Sequence, residues 1–291
     1  MNETPRFEYS RVLSIAGSDS GGGAGIQADL KTFAALGCYG MTAITALTAQ
    51  NTRGVRSIHA VPPRILRDQI DAVIEDIGAH AVKIGMLHAP EIVAIVAEAI
   101  DRHALKNVVL DPVMVAASGA ALIETPAIAA LARELFSRVD VVTPNLDEAS
   151  LLVGHPLRTP QDMESAAMRL LEQGARAVLL KGGHLPGARV IDLLVTASGG
   201  KYRMEAPRID SANTHGTGCT LSSAIAAYLA LGASLPEAVR RARDYVRRAL
   251  RAGAPVRTGA GGGPLDHGYS PKSTRSRQLS GDFSFSHGGK V

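Results

Sequence analysis

The sequence predicts a single α/β domain whose mostly parallel central sheet is flanked by helices. Short apolar runs typical of buried strands alternate with longer segments of helical period, and this alternation favours parallel βαβ units. Hydrophobic residues make up 46% and charged residues 20% of the 291 residues, as in globular proteins. We expect one domain over residues 1–268. Residues 269–291 are rich in Ser, Gly and basic residues without an apolar period, which predicts a disordered tail.

Each element is predicted from its own periodicity. Strands are predicted at 12–16, 42–48, 81–85, 107–110, 139–142 and 177–180, followed by 190–195 and 202–206. Helices are predicted where apolar side chains recur every three or four residues, as in the stripe that begins at Leu66. These helices are 65–77, 91–100, 127–136, 161–173 and 218–231.

The net charge of +4 does not by itself indicate a nucleic-acid partner. The densest group of arginines lies between Pro236 and Gly253, where apolar residues recur at helical spacing and arginines mostly fill the other face. This pattern predicts a solvated amphipathic helix, and the sequence contains no Trp on which bases could stack. We expect no nucleic-acid partner.

The cysteine content and the apolar runs predict a cytoplasmic protein. Cys38 and Cys219 are the only cysteines, too few for a disulfide framework and suited to a reducing compartment. The first residues are polar, so we expect no secretory signal. No apolar run approaches the roughly 20 residues of a membrane span, so we expect no membrane partner.

Polar or glycine-rich segments follow most of the predicted strands. They are Gly17-Ser18-Asp19, Gln50-Asn51, Asp111-Pro112, Thr143-Pro144-Asn145 and Lys181-Gly182-Gly183-His184, while Met86 follows the third strand. In a doubly wound sheet these positions lie at one edge, the carboxyl ends of the strands, where such folds bind ligands. The sequence therefore predicts a binding site at that edge.

A glycine loop at 21–25 (GGGAG) follows the first strand and opens a helix. It satisfies the dinucleotide fingerprint G-x-G-x-x-A, but that fingerprint also needs an acidic residue about 20 positions later. Between Asp29 and Asp68 there is no Asp or Glu, which disfavours a dehydrogenase. The glycines either let the backbone approach a flat ligand or form a tight turn without one.

The segment Thr214 to Cys219 (THGTGC) is the predicted anion hole. The chain has no GxxxxGK[ST] motif, so phosphate must be held elsewhere. Gly216 and Gly218 permit close approach, and a helix beginning here points free N–H groups and its positive dipole end outward. We expect that dipole to lower the pKa of Cys219, making it a base or nucleophile; as a lone cysteine it could equally line the pocket. Position 225 is Ile, where a cysteine phosphatase would need Arg.

Seven motifs in order resemble one family. They are AGSDSGGGAGIQADLKTF (16–33), TALTAQNT (45–52), KIGML (83–87), LDPVM (110–114), TPNLDEA (143–149), LLKGGH (179–184) and NTHGTGCTLS (213–222). From about residue 12 to about residue 267 the chain resembles the hydroxymethylpyrimidine/phosphomethylpyrimidine kinases of thiamine biosynthesis, in the ribokinase superfamily.

The resemblance implies a ribokinase-like three-layer fold, a homodimer and two successive phosphorylations. ATP with Mg²⁺ would phosphorylate 4-amino-5-hydroxymethyl-2-methylpyrimidine and then its monophosphate. Gln50 would hydrogen-bond the aminopyrimidine edge, since an amide offers a donor and an acceptor together. The ring pocket would be lined by Gly17, Ala24, Asp29, Met86 and Val113. ATP would be bound by Lys181, Asn145 and Thr214, and the metal by Glu148 and Asp111.

At the anion hole, the resemblance places Cys219 where many superfamily kinases have an Asp base. Phosphoryl transfer needs chiefly positioning and charge stabilisation. Backbone donors of Gly216, Thr217, Gly218 and Cys219, the Lys181 cation and a carboxylate seat for Mg²⁺ could supply both.

The chain departs from the family pattern at two places. Ser20 stands where the family often has Pro, and Ala117-Ser118-Gly119-Ala120 stands where it often has Lys-Ser-Gly-Asp, so a phosphate contact of that Lys is absent. Pyridoxal kinase is the alternative substrate hypothesis, and Gln50 favours the pyrimidine. A catalytically silent nucleotide-binding protein is the other alternative.

Overall fold

The computed structural model describes residues 7–115 and 122–278. Its centre is a nine-stranded sheet in the order β10-β9-β8-β7-β6-β5-β2-β3-β4. The six strands from β8 to β3 along this order run parallel, whereas β4, β9 and β10 are antiparallel to their neighbours. The strands of this sheet are β2 (Arg11–Asp19), β3 (Tyr39–Asn51), β4 (Gly54–Ala60), β5 (Ala81–Ile84), β6 (Val108–Leu110), β7 (Val141–Val142), β8 (Ala177–Lys181), β9 (Arg189–Thr196) and β10 (Lys201–Pro207).

Helices cover both faces of the sheet. Against one face pack α1 (Gly25–Ala35), α7 (Thr217–Ala230) and α8 (Leu235–Gly253); against the other lie α2 (Pro63–Asp76), α3 (Pro90–Arg102), α4 (Thr125–Ala130), α5 (Leu146–Val153) and α6 (Pro160–Glu172). Each face buries its own apolar cluster, so the strands between them are apolar on both sides. The three-layer fold with a mostly parallel sheet is confirmed.

The predicted strands all appear, with shifted ends, and two predictions fall short. The helix predicted at 127–136 is α4 followed by a π-helical turn over Leu131–Leu135. Strand β3 runs on to Asn51, so Gln50 lies inside the strand, and the exposed edge strand β4 pairs with it. Periodicity missed β4 because its last five side chains are exposed and leave no apolar alternation.

The tail prediction is wrong for residues 269–278. Here β11 (Ser276–Gln278) pairs antiparallel with β1 (Phe7–Tyr9) in a separate two-stranded sheet. The Arg275 N–H donates to the Gly37 carbonyl at 2.8 Å, which ties this segment to the turn after α1. The pairing partner is at the other end of the chain, so local composition could not reveal it. Residues 279–291 lie outside the described residues.

Helix α8 is the amphipathic helix that the arginine pattern predicts. Most of its apolar residues are buried, while Arg240 and Arg241 are exposed and pair with Glu237. Among the described residues, none of the helices is both long and apolar enough to cross a membrane.

Candidate active site

A cleft of about 800 Å³ opens at the carboxyl edge of the parallel strands. The sequence-predicted site residues that line it are Gly17, Ala24, Gln50, Met86, Asp111, Val113, Asn145, Glu148, Lys181, Thr214, Gly216, Thr217, Gly218 and Cys219. They come from loops and strand ends far apart in the sequence. The sheet topology brings them together because parallel strands present their carboxyl ends along one edge.

Asp29 is the exception and does not line the cleft. It lies on α1 with no exposed surface and forms an ion pair with the equally buried Lys83 at 2.9 Å. Ser14 Oγ and Ser223 Oγ also donate to its carboxylate, at 2.5 and 2.6 Å. With four close donor contacts, Asp29 neutralises Lys83 beneath the cleft, so its prediction as a pocket-lining residue is wrong.

The anion hole is the N-terminus of α7. Gly216 has φ +79°, and a Cβ on it would lie 1.8 Å from the Gly23 carbonyl oxygen, so only glycine fits here. The Thr217 N–H donates to the Thr214 carbonyl, and Thr220 N–H is bonded to the Gly216 carbonyl. By helix geometry the N–H groups of Gly218 and Cys219 remain available to an anion at this helix end.

The glycine loop at 21–25 already cradles an anion, the carboxylate of Asp19. Backbone N–H groups of Gly21, Gly23 and Ala24 donate to it at 2.8, 3.1 and 2.9 Å, and His215 Nε2 lies 2.9 Å away. Burial alone would raise the pKa of Asp19, but the His215 hydrogen bond and these N–H groups outweigh it and lower the pKa. We call Asp19, the loop and Thr214 to Cys219 together the glycine rim.

The Cys219 thiol does not have the lowered pKa that the helix dipole predicts. Burial raises its pKa to about 11, and the nearby Asp29 and Asp111 carboxylates add to the effect against the opposing Lys83 cation. The desolvation of the thiolate therefore outweighs the helix dipole. The direction of this pKa shift is opposite to the one that the helix dipole predicts, so the thiol form predominates at neutral pH.

The opposite side of the cleft is ionic, and we call Asp111, Asn145, Glu148 and Lys181 the charged rim. Lys181 Nζ lies 2.8 Å from Asp111 Oδ1 and 3.7 Å from Glu148 Oε2. Asn145 and Glu148 form a capping box at the start of α5, in which each side chain accepts the other's backbone N–H. The capping box fixes the Glu148 carboxylate close to Lys181.

The two carboxyl groups of the charged rim have opposite pKa shifts. Burial raises the pKa of Glu148 to about 7, with Asp111 adding to the rise and Lys181 opposing it. Burial would also raise the pKa of Asp111, but Lys181 and Lys83 outweigh it and lower the pKa. Asp111 therefore stays ionised. The ionised form of Glu148 is stabilised by any further cation nearby.

Gln50 and the predicted ring pocket lie beside the glycine rim. The Met86 side chain crosses Gly17 so closely that a Cβ there would lie 2.5 Å from Met86 Cε. Ser20 Oγ donates to the Gln50 carbonyl at 2.7 Å and accepts the Gln50 N–H at 2.8 Å. Ser20, the departure from the family's usual Pro, therefore positions the backbone of Gln50.

The sequence analysis missed three side chains at the site. Asp19 and His215 stood inside the quoted motifs without a role, and Lys83 likewise began the KIGML motif. His215 contacts Asp19, which is 196 residues away in sequence, and Lys83 contacts Asp29, which is 54 residues away. The motifs contain these three residues, but only the tertiary contacts bring each of them together with its partner. The Ala117–Ala120 departure lies outside the described residues.

Known proteins that are similar to this chain are kinases of small molecules, which is consistent with a ligand-binding cleft at this edge of the sheet. The family model described as phosphomethylpyrimidine kinase matches residues 19–266. The hydroxymethylpyrimidine/phosphomethylpyrimidine kinase of Rhizobium meliloti is 51% identical over 88% of this chain and 96% of that protein. The thiamine biosynthesis bifunctional protein ThiED of Geobacter sulfurreducens is 49% identical over 95% of this chain but 56% of that protein. The chain thus spans just over half the length of that bifunctional relative.

A solved structure extends the likeness to the fold. An ADP complex of Bacillus subtilis pyridoxal kinase superimposes with a TM-score of 0.83 at 38% identity, covering 89% of this chain and 98% of that one. The three-layer fold and the cleft at its strand ends define a small-molecule kinase of ribokinase-like fold. Within that class, the chain belongs to the phosphomethylpyrimidine kinase family.

Proposed function

We propose that the protein phosphorylates 4-amino-5-hydroxymethyl-2-methylpyrimidine with ATP and then phosphorylates the monophosphate. The observation that carries the proposal is one cleft that holds both the Gln50 amide and the anion-binding start of α7. The amide offers the donor and acceptor that an aminopyrimidine edge needs. The helix start offers N–H groups for the phosphoryl group that is transferred. The names of the relatives support the same two reactions.

In this proposal the two rims have separate tasks. Gly17, Ala24, Met86 and Val113 form the walls around the ring, and Gln50 hydrogen-bonds its edge. In the turn formed by Gly216, Thr217, Gly218 and Cys219, the N–H groups of Gly218 and Cys219 hold the transferring phosphoryl group. Lys181, Asn145 and Thr214 bind ATP, and the Lys181 cation offsets the charge that develops during transfer.

Cys219 is proposed as the group that accepts the proton of the substrate hydroxyl. Its thiol lies at the start of α7 among the residues of the anion hole and lines the cleft. A pKa of about 11 leaves only a small thiolate fraction at neutral pH, so this role predicts a rate that depends on pH.

Asp111 and Glu148 are proposed as the residues that hold Mg²⁺. Their donor set fits this ion, because Mg²⁺ takes oxygen ligands and is commonly bound by one or two carboxylates together with phosphates. The buried Glu148 carboxyl, with its pKa of about 7, is ionised more easily beside a divalent cation. The ion would neutralise negative charge on the phosphates of ATP.

The test is ATP consumption with defined acceptors. Purified protein, Mg²⁺ and ATP should release ADP when the hydroxymethylpyrimidine is added and again when its monophosphate is supplied as the only acceptor. Mass spectrometry of the products distinguishes the first phosphorylation from the second. Release of ADP without dependence on either acceptor would instead favour a protein that only binds nucleotide.

Pyridoxal is the second candidate substrate, and the likeness to the Bacillus pyridoxal kinase favours it. Both substrates are heteroaromatic alcohols of similar size, and the same cleft chemistry could serve either. Efficient phosphorylation of pyridoxal together with none of the pyrimidine would overturn the substrate proposal.

A homodimer and a cytoplasmic location are further proposals. Strand β4 ends the sheet with an exposed row of side chains, and Leu47 on β3 and Ile58 on β4 are 46% and 42% exposed. An apolar edge of this kind is suited to an interface with a second copy. Sedimentation equilibrium should give twice the 30.4 kDa chain mass, and a single monomeric species would contradict the dimer.

A further inference from the structure

The Asp19 carboxylate holds the His215 ring in one orientation. Asp19 receives three backbone N–H groups of the glycine loop besides His215, and its lowered pKa keeps it ionised at neutral pH. An ionised carboxylate only accepts hydrogen bonds, so His215 Nε2 must carry a proton and donate it to Asp19 at 2.9 Å. This contact settles which ring nitrogen is the donor.

The His215 ring is also fixed sterically. Its backbone N–H donates to the Gly263 carbonyl at 3.1 Å. On the other side the ring lies directly against Gly23, where a Cβ would come within 2.4 Å of His215 Cδ2. The Nε2–H group therefore points in a direction set by both loops of the glycine rim.

His215 Nε2 is also 3.4 Å from the side-chain nitrogen of Gln50, which places two donors face to face. The other end of the amide is also poorly matched. Thr48 Oγ1 lies 2.9 Å from the Ser18 carbonyl oxygen and 3.2 Å from the Gln50 oxygen, so two acceptors compete for its one proton. Neither end of the amide is well satisfied in this orientation.

Turning the Gln50 amide by 180° removes the donor–donor contact with His215 and lets Thr48 Oγ1 accept a hydrogen bond while it donates to Ser18. Oxygen and nitrogen of an amide have nearly the same shape, so their assignment follows from the hydrogen-bond network. The turned oxygen lies beside the His215 Nε2–H and shares that proton with Asp19 as a second, more distant acceptor, and the turned NH₂ group donates to Thr48 Oγ1, which keeps its own proton for Ser18. One N–H and one oxygen lone pair are then left over in a fixed order.

We propose that Asp19, His215 and Thr48 fix the polarity of the Gln50 amide and so make His215 a positioning residue for recognition of the substrate ring. The inference rests on the proposed role of Gln50 in binding the aminopyrimidine. An amide that could turn freely would present its donor and acceptor in either order. A fixed amide presents one order, which suits a ring that carries an amino group beside a ring nitrogen.

The test compares His215→Leu with His215→Gln. Leucine removes the donor, whereas glutamine can place an N–H near the position of Nε2. We expect His215→Leu to raise KM for the pyrimidine about tenfold while KM for ATP changes less than twofold. His215→Gln should restore most of the loss. His155→Leu, at an exposed position between α5 and α6, is the matched control and should leave both constants unchanged.

A double-mutant cycle shows whether His215 acts through Gln50. In a Gln50→Ala background, His215→Leu should raise KM for the pyrimidine no further, because the amide that it orients is gone. An additive effect in that background, or an equal rise in KM for ATP, would overturn the positioning role. Wild-type protein with no pyrimidine kinase activity would instead contradict the proposed function, so the two failures are distinguishable.

Thr48→Val provides an independent measurement if His215→Leu does not fold. It removes the hydroxyl at the opposite end of the amide and leaves the glycine rim untouched. We expect KM for the pyrimidine to rise several-fold at constant KM for ATP. An unchanged KM for the pyrimidine would overturn the proposed polarity.

Discussion

The glycine rim and the charged rim line the same cleft but balance their buried charges differently. On the charged rim, Lys181 at the end of β8 is paired with Asp111, which follows β6, and lies near Glu148 in the first turn of α5. On the glycine rim, backbone N–H groups of the loop hold the Asp19 carboxylate, with His215 as its side-chain partner. Replacing a side chain leaves the backbone N–H donors of the glycine rim in place, whereas it removes a side-chain partner on the charged rim.

This difference predicts where the protein tolerates change. Removing one member of a buried ion pair leaves the other without compensation, which costs more than the pair contributes. We therefore expect substitutions on the charged rim to have the largest effects and those around the glycine rim to have smaller and more specific ones.

Lys181→Met should have the largest effect. It removes the cation proposed for ATP and leaves Asp111 and Glu148 with one fewer buried partner, so we expect kcat to fall about 10²–10³-fold. Steady-state kinetics with the pyrimidine measure the effect, and circular dichroism checks the fold. Lys201→Met, on the exposed side of β10, is the control and should lose less than twofold. A comparably small loss for Lys181→Met would remove Lys181 from the catalytic machinery.

Cys219→Ala should be next. If the thiol accepts the substrate proton, kcat should fall about 10²-fold. Because the base must be deprotonated and its pKa is about 11, kcat/KM of the wild type should rise nearly tenfold per pH unit between pH 6.5 and 8.5.

Cys38→Ala serves as the matched control for Cys219→Ala. Cys38 is buried in the apolar cluster between α1 and α7, away from the cleft, and its removal should leave kcat within twofold. A flat pH profile together with a loss of only a few-fold in Cys219→Ala would assign Cys219 to the pocket wall.

The smallest expected effect is on stability beneath the glycine rim. His267 Nε2 lies 3.0 Å from Thr220 Oγ1 in the first turns of α7, and burial, with Lys31 and His215 adding, lowers the His267 pKa from 6.5 to about 4. A lowered pKa means that the folded state binds the proton less readily than the unfolded state. Its contribution is therefore fully present above pH 6.5 and is lost as the pH falls toward 4.

Urea denaturation at several pH values measures this contribution. Between pH 7.5 and pH 5 the wild type should lose about 2 kcal/mol of unfolding free energy that His267→Gln does not lose. Parallel stability curves for the two proteins would show that His267 titrates normally in the folded state.

The sequence alone determined the features that are local in the chain. Apolar runs and helical stripes identified the eight predicted strands and most helices, because side-chain periodicity is a property of neighbouring residues. The polar ends of the strands and the Thr214 to Cys219 turn were found in the same way. Local patterns and the motif resemblance together predicted the fourteen residues that line the cleft.

Only the tertiary structure decided which groups neutralise one another. Asp29, a predicted pocket residue, is the ion-pair partner of Lys83. The pKa of Cys219 is raised because burial and distant charges outweigh the local helix dipole. The contacts of His215 with Asp19 and of β11 with β1 join segments from opposite ends of the chain. Such contacts follow from how the layers pack, and no local pattern in the sequence records them.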